Sequence, residues 1–353
     1  MKETIKTAIT EKLGIKVPIL LAGMSGVSHG ELAAAVSNAG GLGVIGGLTL
    51  SPKVLKKEID DLKAHLKDPN LPFGVDLAIP QVGGNARKTN HDYTHGKLPE
   101  LIDIIIAEKA SLFVCAVGVP PKWAADKLHA AGIPIMNMVG APKHVDKAIA
   151  SGADLICAQG TEAGGHTGEI GTLALIPQCV ERCKGHKSQL DGSPILVVGA
   201  GGIVNGAGIA ASLALGAEAV WVGTRFVAST ESHASDRHKA RVVEIGALDT
   251  TRTLIYSGRP LRAYQSSYVR DWHTKRKEQI DELCEKGVIP FSYDLKQAEK
   301  NGEHFDLAGN FPQLIGQGCG LIKDVKPVGE IVEEMMNEAL EILRKSPSRI
   351  AKL

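Results

Sequence analysis

Net charge is almost absent from this chain: 40 Lys and Arg stand against 39 Asp and Glu, a formal +1 over 353 residues. Composition gives no basic patch, which argues against nucleic acid and anionic membrane as partners. No apolar run approaches the ~20 residues that span a bilayer. The opening residues, Met1 to Lys16, mix acids with bases, unlike a signal peptide or an acid-poor transit peptide. Six cysteines in a chain this long make no disulfide framework. Cys115 and Cys157 lie in apolar runs and read as reduced core residues. Cys179 and Cys183, four apart, share a helical face, but no second pair follows at zinc-site spacing, so no metal is expected. Aromatics are scarce, at 4%. A cytoplasmic protein is the expectation. The terminal Ala351-Lys352-Leu353 is close to the Ser-Lys-Leu peroxisomal address, which matters only in a eukaryotic host.

What the chain does have is glycine, 40 residues of it, within a 44% hydrophobic composition. Short apolar runs alternate with amphipathic stretches: Val17 to Gly23, Leu42 to Gly47, Phe73 to Ile79, Leu112 to Gly118, Ile133 to Gly140, Asp154 to Gly160, Pro194 to Gly202 and Ala219 to Phe226. Each has the length and aliphatic content of a strand buried on both faces. Strand followed by helix, eight times over, predicts a (β/α)8 TIM barrel; an open doubly wound sheet is the competing architecture. Two segments break the alternation. Pro80 to Pro99 is a long polar loop after the third strand, of a length often used for lids and binding loops. From Ser229 to about Ile322 charged, mainly helical pieces follow strand 8. The expected division is a barrel of residues 1–228 and 323–353, and a mainly helical cap of residues 229–322.

Chemistry concentrates in Gln159 to Gly171, QGTEAGGHTGEIG, where the sixth strand runs into a loop whose only imidazole is His166. Glycine allows such a loop to fold tightly around a flat ligand. Two further glycine-rich strand ends lie in Gly199 to Gly206 and Val222 to Phe226, where barrels often hold a phosphate. Gly201 and Gly202 would let the chain approach the anion, while Gly223 and Thr224 would supply donors. Ala22, Gly23 and Met24 end the first strand with room for a planar ring, so a phosphorylated planar cofactor such as FMN is the economical reading. His91 and His95 in the third loop read as solvent-exposed. His233, His238 and His273, in charged helical surroundings, read as surface residues. Arg259, Arg262 and Tyr264 approach the substrate, hold the cap or, as readily, serve structural packing.

The segments LAGMSGVS, NAGGLGVIGG, PFGVDLAIPQVGGNARKTNHDYTHGKLPELID, MNMVGAPKHV, CAQGTEAGGHTGEI, VVGAGGI, VGTRF and SGRPLRAY resemble the nitronate monooxygenase family, formerly 2-nitropropane dioxygenases. The third loop is most similar to the fungal-type branch. The resemblance implies an FMN barrel that oxidises alkyl nitronates, and in some members nitroalkanes, with O2 to a carbonyl compound and nitrite. It implies ring contacts from Ala22, Gly23, Met24, Gln159 and Gly164, a phosphate grip from Gly201, Gly202, Gly223 and Thr224, and His166 as a base or anion-stabilising group. Asp76 departs from the asparagine usual on this strand in other branches. An FMN-dependent enoyl-thioester (enoyl-acyl-carrier) reductase using NAD(P)H shares the barrel and the glycine–histidine loop and is the enzymatic alternative. A flavin-free phosphate-binding lyase or isomerase is the alternative of another class, opposed by the lack of lysine in the strand centres. Assembly as a homodimer stays open.

Overall fold

The computed structural model describes residues 3–349, so the Ala351-Lys352-Leu353 address lies outside the described residues. The strands, in chain order, are β1 (Ile19–Leu21), β2 (Gly43–Gly46), β3 (Phe73–Ala78), β4 (Leu112–Ala116), β5 (Ile135–Val139), β6 (Leu155–Gln159), β7 (Gly165–His166), β8 (Leu196–Ala200), β9 (Ala219–Val222), β10 (Thr250–Thr253) and β11 (Leu261–Tyr264). Eight of them form one parallel sheet in the order β1-β9-β8-β6-β5-β4-β3-β2. Its two ends meet through a parallel bridge between Leu20 and Leu42, with the Leu42 N–H donating to Ile19 O at 3.0 Å. The predicted barrel is therefore the observed one, and the open sheet is excluded.

Alternation along each strand explains why the apolar runs are continuous. Leu20, Val44, Leu112, Val114, Met136, Leu155, Cys157, Val198 and Trp221 fill the interior as one cluster. Their neighbours Ile19, Leu21, Ile45, Val75, Leu77, Phe113 and Ile135 face the surrounding helices. By the same alternation Asp76, between Val75 and Leu77, points inward.

The helices, again in chain order, are α1 (Ala8–Leu13), α2 (Gly30–Asn38), α3 (Pro52–His65), α4 (Leu98–Ala107), α5 (Lys122–Ala130), α6 (Val145–Ala150), α7 (Thr172–Cys183), α8 (Gly206–Ala214) and the single turn α9 (Thr224–Val227). Thr224 to Phe226, expected at the end of a strand, is thus helical. Cys179 and Cys183 are both buried on α7. After α10 (Asp236–Glu244) come α11 (Ser267–Lys275), α12 (Lys277–Glu285), α13 (Pro290–Asn301), α14 (Leu307–Asn310) and the long α15 (Val328–Lys345). The last packs against both α8 and α2. It thereby fills the place of the helix that should follow the final barrel strand. Gly206 makes this contact possible, because a Cβ there would lie 2.4 Å from the backbone of Met335 and Ala339. No helix among the described residues is long and apolar enough to cross a membrane.

The segment between α9 and α15 holds a small core of its own: Trp272, Ile255, Val269, Ile280 and Leu283. Asp294 organises it, accepting from Arg276 Nη2 at 2.7 Å, Tyr268 Oη at 2.9 Å and Trp272 Nε1 at 3.1 Å. This region is not helical throughout. β10 and β11 form an antiparallel hairpin, and β11 pairs in turn with β7.

At the opposite end of the barrel the fully buried Asp154 pins β5 and β6 to the helix layer. It accepts from the Ile135 N–H at 2.7 Å, from Ser188 Oγ at 2.6 Å and from His129 Nε2 at 2.9 Å. Asp154→Ala is expected to lower stability by about 3 kcal/mol, since it strands buried donors. The check is the urea midpoint of the variant: an unchanged midpoint would show that the pin carries no stability.

Candidate active site at the barrel mouth

A cavity of about 1980 Å³ opens at the C-terminal ends of the strands, where TIM barrels carry their chemistry. All ten residues expected from the sequence line it: Ala22, Gly23 and Met24 after β1, Gln159 at the end of β6 with Gly164 and His166 beyond it, Gly201 and Gly202 after β8, and Gly223 and Thr224 after β9. The third loop forms one wall through Gln81, Arg87, Asn90 and Tyr93, and the cap adds Tyr256, Ser257 and Arg259.

His166 does not sit in a free loop. It is half of β7, in register with Leu261 of β11, and Gln159 Nε2 donates to its carbonyl at 2.5 Å. Its Nε2 lies 2.9 Å from Ser257 Oγ, and that hydroxyl donates to Arg259 O at 3.2 Å. With its one proton given to a carbonyl, the hydroxyl can only accept from the imidazole. In that arrangement Nε2 carries the hydrogen, and Nδ1, with no protein partner among the described residues, keeps its lone pair. Enclosure of the ring, reinforced by the Arg259 charge, lowers the His166 pKa from 6.5 to about 4. The imidazole is neutral at physiological pH, so the positive charge beside it is Arg259, not an imidazolium. Arg259 is itself held between Asn90 Oδ1 at 3.2 Å and Val117 O at 3.4 Å, which ties the cap to the third loop.

At the other side of the mouth Gly201 and Gly202 adopt φ of 101° and 71°. The N–H groups of Gly201, Gly202, Gly223 and Thr224 donate to no protein acceptor among the described residues. Thr224 Oγ1 accepts from the Gly316 N–H at 3.1 Å, leaving its own hydrogen free to donate. Unmatched donors gathered at strand and helix ends are a seat for an anion.

Several residues stand elsewhere than expected. His238 is no surface residue: it lines the cavity, and its Nε2 is buried without a partner. His273 is likewise half-buried, 2.9 Å from Thr253 Oγ1. His91 and His95 are exposed; His91 reaches the rim and sets its ring edge-on to Tyr93. Arg262 takes the structural role among those expected of it, donating to Thr161 O at 2.9 Å and Thr250 Oγ1 at 3.1 Å. Tyr264 lies under the Arg241 guanidinium. Ser257 and Tyr256 were not legible as site residues, because nothing local marks a serine in a cap loop as an imidazole's partner.

Family comparison then decides the lineage. A model described as nitronate monooxygenase matches residues 6–338. The chain belongs to the nitronate monooxygenase family. That makes it an oxidoreductase of flavoprotein class. Among nitronate monooxygenase relatives, a Staphylococcus saprophyticus protein named "Probable nitronate monooxygenase" is 33% identical over 377 residues, 97% of this chain and 99% of its own. An octahydroindene-carboxyl-CoA dehydrogenase of Rhodococcus jostii is 37% identical over 266 residues, 75% of this chain and 67% of its own. The structure of FabK from Thermotoga maritima superposes with a TM-score of 0.78 at 31% identity, covering 98% of this chain and 100% of that one. These relatives are bacterial, and the fungal-type branch has no representative among them.

Replacing Arg259 by Met should raise the His166 titration midpoint while leaving it below 6.5, since burial is the larger cause of the shift. Imidazole NMR titration reads this directly. A midpoint that stays put or falls would show that the Arg259 charge does not act on His166.

Proposed function

We propose that the protein is an FMN-dependent oxidoreductase of acyl-thioester substrates, with NAD(P)H as the redox partner. The observation that carries this reading is the size and lining of the cavity. At about 1980 Å³ it is roughly twice the upper end of ordinary single-ligand pockets. It has room for a cofactor and a large second ligand together. Part of its wall is apolar, from Ile289, Phe311, Pro312 and Leu314, and Phe311 is 61% exposed. Elsewhere it carries Arg87, Lys143 and Lys147, none with a carboxylate partner among the described residues. An apolar acyl chain on an anionic carrier uses both kinds of surface; a short alkyl nitronate uses neither. The carboxyl-CoA name of the Rhodococcus jostii relative supports the same class.

The residues present fit FMN. The four unmatched N–H groups at Gly201, Gly202, Gly223 and Thr224 suit its phosphate. Ala22, Gly23, Met24, Gln159 and Gly164 border the space for its ring. When bound, the flavin supplies the electron transfer; the protein supplies position and electrostatics. Arg259 offers a fixed positive charge where negative charge builds on a thioester carbonyl oxygen. His166, neutral above about pH 4, accepts the proton of a carbon acid α to that carbonyl in the oxidative direction; in the reductive direction the α-carbon takes its proton from solvent, relayed through the same imidazole. Residues 229–322 act as the substrate cap, delivering Ser257 and Arg259 to the mouth.

Oxidation of nitronates with O2 is the second reading. Arg259, a cation without a carboxylate partner beside the base, favours it, because the same charge would hold a nitronate anion. The Staphylococcus saprophyticus relative supports it by name. A flavin-free lyase finds no strand lysine to work with.

An anaerobic titration separates these readings. The holoprotein should bleach with NADH or NADPH and recover its colour with a medium-chain enoyl-CoA. Bleaching by propane-2-nitronate with nitrite release, and none by NAD(P)H, would replace the thioester reading with the nitronate one. A purified protein with no flavin absorbance that takes up no FMN would sink both.

A further inference from the structure

Among the described residues, Asp76 is the one carboxyl on the barrel strands that lines the cavity. It is 6% exposed and lines the cavity, yet Oδ1 is buried without a hydrogen-bond partner, and no protein donor among the described residues reaches either oxygen. Buried carboxyls are normally paired or hydrogen-bonded, because an unsolvated anion is strongly disfavoured. No cation faces this one from the surrounding strands. The titratable groups that sense its charge are the thiols of Cys115 on β4 and Cys157 on β6. From β2 it meets backbone only, the Gly47 N–H donating to its carbonyl at 2.8 Å. Against β1 the contact is close: a Cβ on Gly23 would fall 2.3 Å from Asp76 Oδ2. Gly23 is one of the residues bordering the proposed ring site, so the carboxyl lies directly behind that backbone.

We propose that Asp76 is a cofactor-binding residue that works in its neutral form, donating a hydrogen bond from the barrel floor to an acceptor atom on the edge of the bound flavin ring. Neither carboxyl oxygen has a hydrogen-bond partner among the described residues, which leaves its proton free for an acceptor that fills the cavity. Burial without compensation accounts for the form: it raises the pKa from 3.8 to about 8. The proposal rests on the FMN reading given above. The grip on the ring loosens when Asp76 ionises beside an electron-rich edge.

Between pH 3.8 and about 8 the folded chain holds a proton that the unfolded chain has lost, so this group's contribution to stability declines as pH rises through that window. Asp76 thus weakens the fold at neutral pH at the spot where a ligand would need a donor, a trade-off typical of functional sites.

FMN dissociation from the holoprotein, followed by the fluorescence of released FMN, tests the idea. The wild-type dissociation constant should climb about tenfold per pH unit above about pH 8. Asp76→Asn, whose amide donates without titrating, should bind FMN with no such bend. Asp76→Leu should bind about tenfold more weakly at pH 7, again without a bend. Thermal melts of the FMN-free proteins give a second readout: Asp76→Asn should melt higher than wild type at pH 8, with the gain vanishing by about pH 4. A wild-type constant flat through about pH 9, the same bend in Asp76→Asn, or an Asn variant less stable at pH 8 would overturn the proposal. Failure of the flavin reading looks different: no FMN uptake at pH 6 by a folded protein.

Discussion

The site depends on a pairing two residues long. Gly165 and His166 form a strand only because β11 lies beside them, Leu261 opposite His166 and Arg262 opposite Gly165. Thr167 N–H extends the contact to Pro260 O at 3.2 Å, and Arg262 Nε clamps the preceding turn at Thr161 O. Without this pairing a glycine-rich loop would sample many backbone states. With it, one imidazole is fixed in orientation against Ser257, and burial together with the Arg259 charge keeps it neutral. The segment between α9 and α15 is therefore part of the candidate site's framework, and His273 on α11 ties to the hairpin at Thr253 Oγ1, 2.9 Å away.

Polar groups divide between those that are satisfied and those left waiting. Asp154, at the far end of the barrel, and Asp294, in the cap, have every oxygen engaged and serve the fold. At the mouth the balance reverses. Asp76 Oδ1, Asn137 Oδ1 and His238 Nε2 are buried without partners, and four backbone N–H groups stand unmatched beside them. A core that satisfied these groups internally would be more stable, and it would have nothing left with which to hold a ligand. That contrast between the two ends of one barrel marks where the function lies more sharply than any single residue does.

Much of this was legible beforehand, for reasons that are local. The eight barrel strands announce themselves because a strand buried on both faces must be apolar along its length, and each is bounded by glycine or a polar turn. The ten candidate residues at the mouth were legible because glycines at the ends of β1, β6, β8 and β9 recur at the same level of the barrel. The hairpin β10–β11 was not: Thr250–Thr253 and Leu261–Tyr264 are four residues each, with arginines at Arg252 and Arg262, and carry no strong period. His238 and His273 read as surface residues because their sequence neighbours are charged, and neighbours in the chain say nothing about a cap folded over them.

The sequence by itself determined the barrel, its glycine-lined mouth and the presence of an imidazole there, since each follows from periodicity or from the special conformations of glycine. Tertiary structure alone decided what that imidazole is. His166 and Ser257 are 91 positions apart in the chain, and they meet at 2.9 Å, which orients the ring. Burial and the Arg259 charge set its protonation, and burial without a partner sets that of Asp76. Charge state is a property of surroundings, and the surroundings exist only once distant segments have met.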